Sequence, residues 1–162
     1  MDVLIDNIRY KVQHFNLKKY FKYRKIVTNS KNNKLIRLYC LYKIKKMDAF
    51  NNASLGTKLE KSSKIESQPI FPHGLNGIMI SKFATIGKNC VIYHQVTIGS
   101  KDDKTAPTIG NNVVIYPGTK IIGNIKIADD VIIGTNAVVT RDCLESGVIL
   151  GWVSARVIGY KK

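Results

Sequence analysis

The chain is poor in the residues that staple small proteins. Its 162 residues hold three cysteines, Cys40, Cys90 and Cys143, odd in number, far apart and outside any Cys-x-x-Cys spacing. A disulfide framework or a zinc knuckle is therefore not expected, and the cytosol is the expected compartment. No stretch approaches the roughly 18 apolar residues of a membrane span. The first nine residues also lack a basic segment followed by an apolar run, so no secretory signal is expected. Acidic residues are scarce, eleven against 26 Lys and Arg. Residues 1–46 carry only Asp2 and Asp6 against thirteen basic residues, a net of +11 out of the chain's +15. The positive charge belongs to an N-terminal arm, while the length suits one ordinary domain with a closed core.

Within that arm Ile5, Ile8, Val12 and Phe15 recur at intervals of three and four, the spacing of one helix face, over residues 2–26. Leu35, Leu38, Tyr39 and Tyr42 repeat the pattern after the polar break Asn29-Ser30-Lys31-Asn32-Asn33, which carries turn and cap chemistry. The spacing predicts a basic helical hairpin over residues 1–50. Its apolar stripe can pack on the rest of the protein or on a neighbouring subunit. It can also lie on an anionic membrane surface, as a basic helix with aliphatic and aromatic residues does. Nucleic acid is a weaker expectation, because no recognised binding motif accompanies the charge.

From residue 78 the periodicity changes. An aliphatic residue occupies every sixth position: Ile80, Ile86, Ile92, Ile98, Ile109, Ile115, Ile121, Ile127, Ile133 and Val139. The step from Ile98 to Ile109 alone is longer, by five residues, and the register survives it. Positions two earlier repeat the pattern in weaker form, from Ile78, Ala84 and Cys90 to Val131 and Ala137. A six-residue period fits neither a helix nor a hairpin array. It fits a parallel β-helix over residues 51–162, in which each hexad gives one short strand and one corner and three hexads close a coil.

Hexads such as Ile86-Gly87-Lys88-Asn89-Cys90-Val91 and Ile133-Gly134-Thr135-Asn136-Ala137-Val138 resemble those of the left-handed β-helix hexapeptide-repeat acyltransferases. Pro72-His73-Gly74, Val96-Thr97-Ile98-Gly99, Pro107-Thr108-Ile109-Gly110 and Ile121-Ile122-Gly123-Asn124-Ile125 are similar to the serine acetyltransferase branch. That branch also holds O-acetyltransferases of capsular and extracellular polysaccharide synthesis, of which the colanic acid type is a short example. The resemblance implies a mainly β fold with an N-terminal helical hairpin and a homotrimer with active sites between solenoids. It also implies acetyl-CoA as co-substrate, no metal, and direct acyl transfer to an acceptor.

Such a transfer needs a base for the attacking hydroxyl and donors for the oxyanion that forms. A neutral imidazole suits the first task. The resemblance places His73 as that base. His94 shares a corner column with Pro117 and Thr135 once the inserted residues are discounted, and in the family the latter two positions lie along the acetyl-CoA cleft. His94 is thus a second candidate catalytic residue, with an outward corner histidine as the alternative. Ser100, Lys120, Arg141 and Arg156 are the further candidates for the cofactor, the cations through its phosphates. Asp102 and Asp103, in the inserted loop of residues 100–106, are candidates for orienting His73, or else a solvated loop tip.

Two positions depart from the serine branch. Where that branch carries an Asp before its first active-site His, this chain has Pro72, and where it carries a second His before the proline, this chain has Ala106. Both changes remove groups suited to serine, so the expected acceptor is a sugar hydroxyl in surface polysaccharide synthesis, free or lipid-linked. Serine or an amino sugar is the enzyme alternative. A trimeric scaffold with a membrane- or nucleic-acid-binding arm is the non-enzyme alternative, and it expects His73→Ala to be silent. A zinc-dependent carbonic anhydrase on the same architecture needs a third solenoid histidine, which the sequence does not contain.

Overall fold

The computed structural model describes Val12 and residues 14–160. Ile5 and Ile8 of the first predicted stripe lie outside the described residues. Helix α1 (Leu17–Thr28) starts where the Asn16 side chain accepts a hydrogen bond from the Lys19 amide at 2.9 Å, and it packs antiparallel to α2 (Lys34–Phe50). Val12 and Phe15 both precede the Asn16 cap and do not share a buried face: Val12 is exposed and Phe15 is buried.

The second stripe faces the other way from a packing surface. Leu35, Leu38, Tyr39 and Tyr42 are exposed, while Cys40, Ile44 and Asp48 are buried. Two apolar faces compete on α2, and the inward one also carries the polar anchors. Arg37 donates to the carbonyls of Val27 at 2.9 Å and Leu59 at 2.5 Å, and Asp48 accepts from the Tyr20 hydroxyl at 2.8 Å. Arg24, itself buried, reaches from α1 to Leu55 O, Thr57 Oγ1, Ser63 O and Ser63 Oγ, which ties the hairpin to the first turn of the solenoid.

The solenoid has three faces. The first stacks β1 (Lys64–Ile65), β3 (Thr85–Ile86), β6 (Thr108–Ile109) and β9 (Lys126–Ile127). The second stacks β4 (Val91–Ile92), β7 (Val114–Ile115), β10 (Ile132–Ile133) and β12 (Val148–Gly151), and adds β13 (Arg156–Tyr160) antiparallel at its edge. The third stacks β2 (Met79–Ile80), β5 (Thr97–Gly99), β8 (Lys120–Ile122) and β11 (Val138–Val139). Thr108 pairs with Lys126 and Val114 with Ile132, one coil of eighteen residues. Thr85 pairs with Thr108 and Val91 with Val114, the same coil lengthened by the five inserted residues.

Every aliphatic of the six-residue series, from Ile80 to Val139, is buried, as are Ile78, Ala84, Cys90, Val96, Val113, Val131 and Ala137 of the companion ladder. Strands of two or three residues suffice because each amide finds its partner in the next coil. The corners demand left-handed backbone, and the columns Asn89/Asn112/Asp130 and Gly77/Gln95/Gly118/Asn136 supply it with positive φ. Asn tolerates that region and Gly enters it freely. The Asn89 side chain donates to Asn112, and Asn112 to Asp130, each at 3.3 Å, so one corner column is stitched along its length.

Candidate active site

His73 stands on a tight turn in which the Gly74 amide donates to Phe71 O, with Leu75 plugging the core behind it. His94 stands on the next coil, at a corner held from both sides: the Gln95 amide donates to Asn76 O at 2.8 Å, and the Gly118 amide to His94 O at 3.2 Å. Gly77 is required beneath this corner. Its φ is +67°, and a Cβ there would press on the Gln95 side chain at 3.1 Å.

These two supports bring the histidines together. Their Nδ1 atoms lie 2.7 Å apart, with ring centroids at 4.8 Å. Such a contact needs one proton between the two nitrogens, so one ring donates through Nδ1 and the other accepts. The donor ring is then left with a free lone pair on Nε2, the tautomer of a general base. Tyr93 meets His73 edge-on at 5.4 Å and stacks on Tyr116 at 5.1 Å, so the pair rests on an aromatic wall. Tyr93 was not singled out in the sequence. It lies one lengthened coil before Tyr116, and the column arithmetic applied to His94 finds it too.

Of the remaining predicted residues, Lys120 and Pro117 lie at the His94 corner and the others lie elsewhere. Asp102 spends its carboxylate on its own loop, accepting from the amides of Lys104 at 2.8 Å and Thr105 at 2.6 Å and from the Thr105 hydroxyl. Those backbone donors hold its pKa below the usual carboxylate range. Asp103 is an exposed residue of the same loop. Among the described residues His73 is partnered by His94 and Tyr93, so neither aspartate orients it within one chain. Ser100 Oγ lies 2.6 Å from Ser81 Oγ. Lys120 donates its ammonium to Gln95 O at 2.7 Å, beside His94. The Pro117 carbonyl accepts from the Asn136 amide at 2.9 Å, and Thr135 is exposed on the coil beyond.

Arg141 and Arg156 do come together, across a groove of about 350 Å³ at the last coil that Ser154 and Asp142 also line. Neither histidine borders that groove. Cys90 is fully buried on the interior ladder and burial pushes its thiol up, so it acts as a small core residue. No cluster of three or more His, Cys, Asp or Glu side chains able to hold a metal ion exists among the described residues.

Residues 106–141 match the family described as bacterial transferase hexapeptide (six repeats). The chain is 35% identical over 106 residues to the serine acetyltransferase of Synechococcus elongatus, covering 64% of this chain and 43% of that protein. It is 35% identical over 113 residues to that of Mycobacterium tuberculosis, covering 68% and 48%. The chain thus spans about half the length of the curated relatives it matches. Among solved structures it superposes on a serine acetyltransferase in complex with coenzyme A from Brucella abortus with TM-score 0.73 and 20% identity, over 90% of this chain and 55% of that one. Serine acetyltransferase isoform 3 in complex with cysteine from Entamoeba histolytica gives TM-score 0.61 and 28% identity, over 77% and 43%. The fold is the left-handed β-helix of hexapeptide repeats, preceded among the described residues by helices α1 and α2.

Proposed function

We propose that the chain is an acetyl-CoA-dependent O-acetyltransferase of the serine acetyltransferase type, with His73 as general base and His94 as the residue that fixes its tautomer. The observation that carries this reading is the 2.7 Å contact between the two Nδ1 atoms. With the proton on His73 Nδ1 and His94 accepting, His73 Nε2 takes the acceptor's hydroxyl proton as the oxygen attacks the thioester carbonyl. The tetrahedral oxyanion then collapses, the C–S bond breaks, and the coenzyme A thiolate recovers the proton from His73. The ester forms with no net change in protons or electrons.

The acetyl donor is supported by the fold's likeness to a coenzyme A complex. Arg141 and Arg156 form a cationic groove suited to the coenzyme's phosphates. His73 is exposed, and the cleft that completes its site lies against an adjacent subunit of a homotrimer. Serine is the acceptor that the relatives' names favour. A sugar hydroxyl, as in surface polysaccharide O-acetylation, remains a second reading on one observation. Pro72 and Ala106 put no polar side chain where the serine branch carries Asp and His, and Ala106 is buried.

Thiol release from acetyl-CoA by the purified protein, offered serine and then a saccharide panel, tests the reading. Release that depends on serine and disappears in His73→Ala supports it in full. Release with saccharides alone transfers the acceptor to the second reading and keeps the mechanism. An undiminished rate in His73→Ala refutes the mechanism.

A further inference from the structure

The outer face of the helical hairpin has no covering among the described residues, and it combines two properties that seldom share a surface. Leu35, Leu38, Tyr39 and Tyr42 form one stripe along α2 and are 75%, 42%, 57% and 61% exposed, with Ile36 beside them at 54%. Scattered apolar residues on a surface are ordinary, but five large ones within two helical turns are not. The opposite face of the same helix, through Cys40, Ile44 and Asp48, already packs inward, so turning this stripe into the core would expose the other.

The surround of the stripe is cationic. Lys34, Lys45 and Lys46 are exposed on α2, and Lys18, Lys19, Lys22 and Lys25 on α1. Lys43 lies over the Tyr39 ring at 5.2 Å, its stem along the stripe. Asp48 is the acid of the described hairpin, and it is buried and bound to Tyr20 and Lys45. A second copy of this face laid on the first would therefore set lysines against lysines with no acid between them. A nucleic-acid duplex would satisfy the lysines and leave Leu35, Ile36 and Leu38 without a partner.

An anionic lipid surface satisfies both. We infer that the hairpin docks the protein on an anionic bilayer, with Leu35, Leu38, Tyr39 and Tyr42 at the boundary between headgroup and acyl chain and the lysines among the lipid phosphates. No helix of the described residues is long and apolar enough to cross a membrane, so the contact is one of lying on the surface. The inference stands apart from the acetyl-transfer reading, because it uses none of the residues of that site.

The test is co-sedimentation of the full chain with vesicles of phosphatidylcholine alone and with vesicles carrying about 30% phosphatidylglycerol, at low and high salt. Binding to the anionic vesicles at low salt, weakening as salt rises and at least about tenfold stronger than to neutral ones, is expected. Leu38→Glu/Tyr42→Glu should bind at least about tenfold more weakly, with thermal unfolding unchanged because both positions face solvent. Failure to bind anionic vesicles, equal binding to neutral ones, or wild-type binding by the variant overturns the inference. So does tighter binding to duplex RNA than to vesicles. A smaller assembly in sedimentation velocity for the variant would also overturn it, by giving the face to another copy.

Discussion

Replacing Arg24 by leucine probes what holds the hairpin to the solenoid. The guanidinium makes four contacts: one nitrogen reaches Leu55 O at 3.1 Å and Thr57 Oγ1, the other Ser63 O at 2.5 Å and Ser63 Oγ at 2.8 Å. Burial pulls its pKa down, opposed by the nearby Tyr20 and Asp48. Without it, Leu55 O keeps the Ser63 hydroxyl at 2.6 Å and the Thr57 hydroxyl keeps Tyr20, but Ser63 O loses its partner. The orphaned carbonyl at about 1–3 kcal/mol and the hydrogen bonds lost at the Thr57 and Ser63 hydroxyls at about 0.5–1.5 kcal/mol each, less about 1 kcal/mol returned by the buried leucine, leave a net loss of about 1–5 kcal/mol. For a chain of this size that is a fall in Tm of roughly 2–20 °C, read by circular dichroism. Arg24→Lys keeps the charge but not the fork, and it should fall between. A leucine variant within about 2 °C of wild type, or a lysine variant equal to it, would mean that apolar packing alone seats the hairpin.

Replacing His94 by alanine should lower kcat by about 10- to 100-fold with KM little changed, because the base loses its orientation and not its substrate. His94→Gln, which keeps an acceptor near His73 Nδ1, should recover part of that loss; equal rates in all three proteins would make His94 a bystander. Gly118 has a φ of +75°, and a Cβ there would run into the Asn136 side chain. Gly118→Ala should therefore cost about 1–2 kcal/mol in urea unfolding, and an unchanged midpoint would argue against the strained corner. Burial raises the Asp48 carboxyl above its ordinary value, with Tyr20 and Lys45 opposing. The folded state then holds that proton more firmly than the unfolded chain does. Its stabilising contribution is full below about pH 4 and is lost as pH rises through the raised value. Asp48→Asn should remove this fall from a Tm-versus-pH curve, and an unaltered curve would place its source elsewhere.

The solenoid was legible because each hexad repeats one physical demand. An inward Ile every sixth residue needs no long-range information, and the jump from Ile98 to Ile109 locates the loop because the ladder resumes in register beyond it. The pairing of His73 with His94 was half legible. The column placed His94 at a corner, but its contact with His73 depends on the irregular turn at Phe71–Gly74, which lies before the regular hexads. Of its two readings Asp102 takes the loop tip for a local reason: an Asp followed two and three residues on by free amides closes its own turn. The hairpin was legible as helices but the direction of its stripe was left open, since α2 has two apolar faces. Spacing ranks Leu35, Leu38, Tyr39 and Tyr42 as readily as Cys40 and Ile44, and only the polar anchors Arg37 and Asp48 decide which turns inward.

The reversed strand β13 governs how long the column can grow. A parallel β-helix repeats by offering each finished coil as a template for the next, so a bare terminal coil would recruit any extended chain of similar pattern. On the second face that offer is withdrawn: β13 runs antiparallel to β12, and the register slips between Ile149 and Leu150, so a further parallel coil meets a rung of the wrong sense. At the opposite end the helices seated by Arg24 occupy the space beside the first turn. On its second face the column is closed to a further parallel coil. Copies of this chain meeting side by side would give a cleft beside His73 its second wall.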